Sequence, residues 1–164
     1  MLESLLRDFR FQIPDGFSFY QAIYLGEPQE AAGLKLRLVK TKIMFRPNVV
    51  VSVGRLGSEG ESALEDFVAE QTALLSKAPN YQVLDKKKLP GLKPACLVRQ
   101  SLRNAEGVGV EQMQLYVALD DRKLLIVTAT HLPGDDFKKY EGTFLKLMAS
   151  LQDAEGRALL PGFT

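Results

Sequence analysis

The sequence contains few of the residues from which catalytic and metal-binding sites are usually built. Its 164 residues include one cysteine and one histidine. The lone Cys96 excludes an internal disulfide and a metal site made of cysteines, and its apolar surroundings, ACLV, predict a small buried side chain. The lone His131 excludes a cluster of histidine ligands, so we expect no metal site. Its position between the last predicted strand and the last predicted helix favours a turn or capping role over proton transfer.

Long apolar runs and a large excess of charge of one sign are also absent. No segment approaches the roughly 18 apolar residues of a membrane-spanning helix. The 21 basic and 20 acidic side chains leave a net charge of +1, which gives no overall field for nucleic acid or an anionic membrane. The first residues, MLESLLRDFRF, lack the apolar core and small-residue cleavage site of a signal peptide. We therefore expect a cytoplasmic protein without stable membrane insertion.

The remaining residues that could carry chemistry are two pairs of acids. Asp120-Asp121 lies in a predicted turn and Asp135-Asp136 at a predicted helix start, where aspartate side chains bond to the backbone. An enzyme would therefore need a site made of acids alone. We expect no catalytic residues and no cofactor, and we interpret the chain as a binding protein.

The most regular stretch runs from Val110 to Leu132 and predicts two strands joined by a tight turn. Polar residues at 120–123 separate two apolar arms, as in a β-hairpin. The second arm is an almost unbroken apolar run, which is typical of an interior strand. The first arm alternates, so its side chains fall on two opposite faces: Gln112, Gln114, Tyr116 and Ala118 on one, and Met113, Leu115, Val117 and Leu119 on the other.

Apolar residues at helical spacing predict two helices. The first has Ser62 as its N-cap, with Glu65 completing a capping box, and ends before Pro79. The second has Asp135 as its N-cap. The basic run at 86–88 predicts a solvated strand end. The predicted core combines the inward stripes of both helices with the hairpin: Phe67, Leu74, Val117, Ile126, Val127, Phe144 and Met148.

These elements predict a single α+β domain over residues 1–164, with residues 153–164 as a C-terminal tail. Alternating or apolar segments at 9–13, 17–25, 34–38 and 49–53 supply further strands. We expect an antiparallel β-sheet of about six to seven strands packed with two main helices.

Several motifs, taken in order, resemble the DcrB-like family of small α/β proteins. The first are F-x-I-P-D-G-F near residue 11, F-x-P-N-V-V-V-S-V from Phe45, and the helix ALEDFVAEQTALL. The hairpin VEQMQLYVALDDRKLLIVTAT and the closing helix FLKLMASL complete the match over residues 9 to 151. The resemblance implies the PsbP-like sandwich, an antiparallel sheet flanked by helices.

The resemblance also implies a function. One branch of the family consists of exported lipoproteins, and the other of cytosolic Eag-type chaperones that shield transmembrane segments of type VI secretion effectors. The absence of a signal peptide favours the second branch. Its members have a helix glutamine and a strand glutamine near the bound segment, and the matching positions are Gln71, Gln112 and Gln114. The alternative, that these are ordinary surface glutamines, remains open.

We predict that the hydrophobic segment of the protein client binds one face of the curved sheet, in a homodimer that grips a helical hairpin. Which alternate set of each strand faces the client is undecided, because a one-residue slip inverts it. A small hydrophobic-ligand carrier and a general protein-interaction module are the alternative functions. The predicted client-binding side chains beside Gln112 and Gln114 are Ile23, Leu25, Leu36, Leu38 and Val50.

Overall fold

The computed structural model describes residues 9–10, 47–57, 62–103, 107–120 and 122–163. The strands predicted at 17–25 and 34–38, and with them Ile23, Leu25, Leu36 and Leu38, lie outside the described residues. The described elements, in chain order, are β1 (Phe9–Arg10), β2 (Asn48–Arg55), α1 (Ala63–Leu75), β3 (Gln82–Leu89), β4 (Ala95–Arg103), β5 (Gly109–Ala118), β6 (Lys123–His131), α2 (Asp135–Ala149) and β7 (Gln152–Asp153).

Five of these strands form one antiparallel sheet in the order β2-β6-β5-β4-β3. The predicted hairpin is confirmed, since β5 and β6 pair from Ala118 and Leu124 outward. β6 is an interior strand between β2 and β5, as its apolar run predicts. The α+β class is also confirmed. The predicted six to seven strands exceed the five that the described part of this sheet contains, and β1 and β7 form a separate pair.

One face of the sheet packs against α2 and the segment that follows it. Alternate residues of the three central strands point to this face, because opposite partners in a ladder share a side. This layer is the larger part of the core. Its sheet members are Ala95, Leu97, Met113, Leu115, Val117, Leu125, Val127 and Ala129, and its other members are Phe137, Phe144, Leu147, Met148, Leu151, Leu159 and Leu160.

The opposite face packs against α1 over part of its area. The helix contributes Leu64 and Val68, which meet Cys96, Val98 and Tyr116 from the sheet. The sheet is therefore covered on both sides along its centre. α1 and α2 lie on different faces, which gives a three-layer arrangement with the central hairpin in the middle.

The predicted core is confirmed at most of its positions. Val117, Val127, Phe144 and Met148 are buried, and Phe67 and Ile126 are partly buried against the α1 layer. The prediction for Leu74 is wrong, because 56% of its surface is exposed. It lies six residues beyond the buried Val68, a separation that turns it away from the sheet.

The predicted helix caps are confirmed only in part, since Ser62 is the N-cap residue of α1 but the capping box and the Asp135 cap are wrong. Ser62 precedes α1 with helical backbone angles and no capping bond from its side chain. Glu65 instead pairs with Lys88 on β3, with 2.5 Å between Oε1 and Nζ. At α2 the residue before the helix is Gly134, whose φ of 79° suits glycine. Asp135 is the first residue inside the helix, where its charge still suits the positive end of the helix dipole.

The segment after α2 folds back onto the core. Leu159 and Leu160 are 1% and 2% exposed. The Leu159 carbonyl accepts a bond from Leu92 N–H at 3.1 Å. A Cβ at Gly91 would lie 2.6 Å from the same carbonyl oxygen, so glycine is needed for this close approach.

Candidate functional site

A row of polar side chains crosses the face of the sheet on which α1 lies. β4, β5 and β6 place Gln100, Gln112 and Thr130 directly opposite one another. The next row joins Gln114 to Thr128 on β6 and, through β2, to Val50. Register explains this gathering, because directly opposite residues of antiparallel strands project to the same side.

Hydrogen bonds connect these side chains into one network, which we call the glutamine ladder: Tyr81, Gln100, Gln112, Gln114, Tyr116, Thr128 and Thr130. Gln100 Nε2 donates to Gln112 Oε1 and to Gln114 Oε1, each at 3.1 Å. The Tyr81 hydroxyl donates to Gln100 Oε1 at 3.0 Å, and the Tyr116 hydroxyl donates to Gln114 Oε1 at 2.6 Å. On the β6 side, Gln112 and Gln114 donate to Thr130 and Thr128, both at 3.4 Å.

Burial differs between members of the ladder, and Gln100 on β4 is the most buried of its amides. Gln100 is 1% exposed and Thr130 is 8% exposed, whereas Gln112, Gln114 and Thr128 are half-buried. Each buried side-chain nitrogen and oxygen in the described residues has a hydrogen-bond partner. A satisfied network of this kind can hold its members in fixed orientations.

The two tyrosines of the ladder remain protonated donors at neutral pH. Burial raises the pKa of Tyr116, because the phenolate would lose its hydration. Burial also raises the pKa of Tyr81, against a smaller lowering by the Thr72 side chain. The ladder therefore contains amides and hydroxyls but no ionised side chain, so it can bind partners such as peptide groups by hydrogen bonds instead of ion pairs.

α1 borders the ladder on one side. Phe67 meets Tyr116 edge to face, with ring centroids 6.1 Å apart and an angle of 64° between the planes. Gln71 follows Phe67 by one helical turn and is half-buried, so it lies toward the same side of the helix. On the other side of the ladder Val50 is 38% exposed.

The structure thus brings together part of the predicted client-binding set. Gln112, Gln114 and Val50 share one face and two adjacent rows. Gln71 lies on the helix that packs on this face. The four other predicted residues, Ile23, Leu25, Leu36 and Leu38, lie outside the described residues. The register also answers which alternate set of β2 and β5 shares this face: residues 48, 50 and 52 with residues 112, 114 and 116.

Sequence reasoning placed Tyr116 on the face of Gln112 and Gln114 without assigning it to the site, and it missed four other members of the ladder: Tyr81, Gln100, Thr128 and Thr130. The signal for Gln100 was a glutamine that follows the apolar start of the strand ACLVRQSL, because a polar side chain in a buried strand needs a partner. Thr128 and Thr130 alternate along β6 in the same way. Tyr81 precedes β3 and carries no periodic signal.

A second polar cluster lies on the α2 side and was also missed. Arg99 donates from Nε to Glu111 Oε1 at 2.5 Å and from Nη1 to Glu141 Oε1 at 3.0 Å. Glu111 is 5% exposed and also accepts from Gly134 N–H at 3.4 Å. The guanidinium lies 5.1 Å from the centroid of the Phe137 ring. This cluster joins β4 and β5 to α2 and its preceding turn, which is a structural role.

His131 and Asp120, two of the residues considered for catalysis, contact neighbouring residues of the fold. His131 ends β6, is 5% exposed and stacks on Tyr140 with 5.0 Å between centroids. Its Nδ1 accepts from Leu132 N–H at 2.7 Å. Asp120 accepts from Arg122 and Lys123 N–H, and these backbone bonds lower the pKa of its carboxyl. Asp121 lies outside the described residues.

Among the described residues, no three side chains of the types His, Cys, Asp and Glu come together as a metal site would require. Burial raises the pKa of the Cys96 thiol, which keeps it protonated. Neither α1 nor α2, the helices described, has the length and apolar character of a membrane span.

Comparisons with known proteins find a structural neighbour but no family. No family model matches the chain, and no curated protein matches it in sequence. Among solved structures, the chain is similar to PA94 from Pseudomonas aeruginosa, a protein of unknown function, with 17% sequence identity and a TM-score of 0.49. The match covers 65% of this chain and 82% of that chain. A similarity at this level does not indicate a shared function.

Proposed function

We propose that the protein is a non-enzymatic chaperone or adaptor that shields a hydrophobic, helix-forming segment of a protein client. The binding surface is the open part of the α1 face, formed by the ladder glutamines Gln112 and Gln114 with Val50. The observation that carries the proposal is that two half-buried amides on β5 share one face with a valine on β2 that is 38% exposed. The neighbouring area of this face is apolar and packed under α1.

The chemistry of this surface suits a segment that would otherwise lie in a membrane. Such a segment presents apolar side chains along its length and unpaired backbone groups at its ends. Valine methyls can cover the side chains, and amides can bond to the backbone groups. The ladder contains no charged residue that would have to be stripped of water on binding.

The wider setting belongs to the same proposal. Relationship to the DcrB-like family and its PsbP-like sandwich would place the chain among the cytoplasmic chaperones of type VI secretion effectors. A homodimer would let two copies of the surface enclose a helical hairpin, as the isologous interfaces of two-fold dimers do. Sedimentation of the protein with and without client should then show two copies of this chain in the complex.

The proposal is tested by co-expression with a fusion that carries about 20 consecutive leucine and alanine residues, the length of a membrane span. The measurement is the fraction of the fusion that stays soluble after centrifugation. Wild type should keep it soluble, whereas Val50→Asp and Gln112→Ala should not. Val53→Asp is the matched control, because Val53 lies on the same strand and is 36% exposed, but pairs with Leu125 and so faces the α2 side.

If wild type and the three variants keep the same fraction of the fusion soluble, the assigned surface is wrong. Loss of protection in Val53→Asp alone would place the client on the α2 side. Native mass spectrometry of the purified protein separates the carrier alternative, since a carrier would retain a small apolar molecule instead of binding the fusion.

A further inference from the structure

Gln100 occupies the centre of the glutamine ladder and uses its whole amide there. Its oxygen accepts from Tyr81, and its two N–H groups are shared between Gln112 and Gln114. With 1% of its surface exposed, Gln100 cannot contact a client itself. Its effect on binding would act through the two glutamines that it holds.

The distances in the ladder assign a direction to these amides. The oxygen and nitrogen of an amide have nearly the same shape, so their hydrogen-bond partners decide which is which. The 2.6 Å contact from the Tyr116 hydroxyl to Gln114 fits an O–H···O bond and is short for a bond to nitrogen. The 3.1 Å contacts of Gln100 Nε2 fit N–H···O bonds. Gln112 and Gln114 therefore turn their oxygens toward Gln100.

This orientation places the side-chain nitrogens of Gln112 and Gln114 toward β6 and the open part of the α1 face. Each amide nitrogen carries two hydrogens, and within the described part of the chain each has one acceptor, a threonine oxygen at 3.4 Å. That distance is beyond the usual range for N–H···O bonds. The half-buried glutamines thus keep donor capacity on the client side, while their oxygens point into the ladder.

We propose that Gln100 is a positioning residue that fixes the polarity of the binding surface, so that the surface presents donors and selects hydrogen-bond acceptors. The inference rests on the proposed function. The acceptor-rich part of a helical client is its last turn, where four carbonyls lack intrahelical partners and the helix dipole is negative. The C-terminal end of the client helix would therefore meet Gln112 and Gln114.

The experiment uses a soluble leucine–alanine helical peptide with an acetylated N-terminus and one tryptophan, made with either a carboxylate or an amide at its C-terminus. The chain has no tryptophan, so tryptophan fluorescence anisotropy reports on the peptide alone. Wild type should bind the carboxylate form about tenfold more tightly, as expected for one added charge-assisted hydrogen bond.

Gln100→Met keeps the shape and neutral charge of the side chain but removes its bonds. It should abolish the preference for the carboxylate while leaving affinity for the amide form near wild type. Tyr81→Phe removes the hydroxyl that fixes the Gln100 oxygen, and it should weaken the preference. If Gln100→Met does not fold, Tyr81→Phe takes its place in the test. An unchanged preference in the folded variant overturns the proposal, because a merely structural Gln100 would alter both affinities alike.

A second measurement needs no peptide. Through-hydrogen-bond NMR couplings on the free protein should connect Gln100 Nε2 with the side-chain carbonyl carbons of Gln112 and Gln114. Couplings in the reverse direction, from Gln112 and Gln114 nitrogens to the Gln100 carbonyl, overturn the assigned polarity. If wild type binds neither peptide while the couplings are as assigned, the proposed function fails and the inference about client ends fails with it, but the polarity of the ladder stands.

Discussion

Two leucines near the ends of the helices differ only in what surrounds them. Leu147 on α2 is 5% exposed and packs in the core, whereas Leu74 on α1 is 56% exposed. Leu147→Ala should therefore lower the free energy of unfolding by about 2–5 kcal/mol. Leu74→Ala should change it by no more than about 0.5 kcal/mol. Urea denaturation measures both, and equal losses would mean that the assigned inner face of α1 is wrong.

Tyr116 should make the protein sensitive to alkali. Burial raises its pKa in the folded state above the 10.0 of an unfolded chain, so the folded protein holds this proton more tightly. The contribution of this proton to the free energy of unfolding is fully present below pH 10 and is lost as pH rises toward the folded-state pKa. Tyr116→Phe should thus show a shallower fall in stability above pH 10, although it loses the bond to Gln114.

The control for this pH dependence is Tyr140→Phe, which leaves Tyr116 in place. It should keep the steeper alkaline decline of wild type. The measurement is the urea midpoint from pH 8 to pH 11. Parallel curves for wild type and Tyr116→Phe would show that Tyr116 ionises equally easily in the folded and unfolded chain.

Single residues also show what sequence alone can predict. Alternation in β5 correctly separated Gln112 and Gln114 from Met113 and Leu115, because that pattern is local. Gln100 could not be assigned to the site in the same way, since its partners lie on a neighbouring strand and depend on register. Leu74 was misplaced because it follows an apolar helix pattern without facing the sheet.

At the scale of the elements, the helix and strand types were predictable, but the contacts that cap the helices were not. The Ser62 and Glu65 pair has the spacing of a capping box, yet Glu65 bonds to Lys88 on β3. That competing partner is nearby only because β3 folds back beside α1. The predicted solvated run is confirmed, since Lys86, Lys87 and Lys88 are exposed.

The attachment of α2 to the sheet depends on the buried carboxylate of Glu111. It accepts from Arg99 and from Gly134 N–H, whereas Glu141 accepts from Arg99 alone among the described residues and is less buried. Glu111→Gln should cost about 1.5–3 kcal/mol of stability, the value of hydrogen bonds to a buried charged group. Glu141→Gln should cost less than about 1 kcal/mol. Thermal unfolding of the two variants compares them, and a larger loss for Glu141→Gln would reverse the assigned roles.

At the scale of the whole molecule, the described segment after α2 completes the core. Leu159 and Leu160 are buried, and the Leu159 N–H donates to the Leu151 carbonyl at 2.9 Å. Removing residues 158–164 should therefore destabilise the protein by more than the roughly 2–5 kcal/mol expected for Leu159→Ala. Glu155→Ala, in the exposed turn of the same segment, should stay within about 0.5 kcal/mol of wild type. A truncated protein as stable as wild type would contradict this packing.

The pairing of β1 with β7 sets an order on how the fold can assemble. The β5–β6 hairpin is closed by a short turn, so its contacts form after little loss of chain entropy. Phe9 and Arg10 pair with Asp153 and Gln152 from the far end of the chain, which encloses every other described element in one loop. We expect the β1–β7 strand pair to form last during folding and to open first. The Asp153 N–H donates to the Arg157 carbonyl, so the Gln152 amide is the one to follow in β7. In native-state hydrogen exchange it should exchange through a lower-energy opening than the amides of β5 and β6, and equal protection would mean that the pair opens only when the whole domain unfolds.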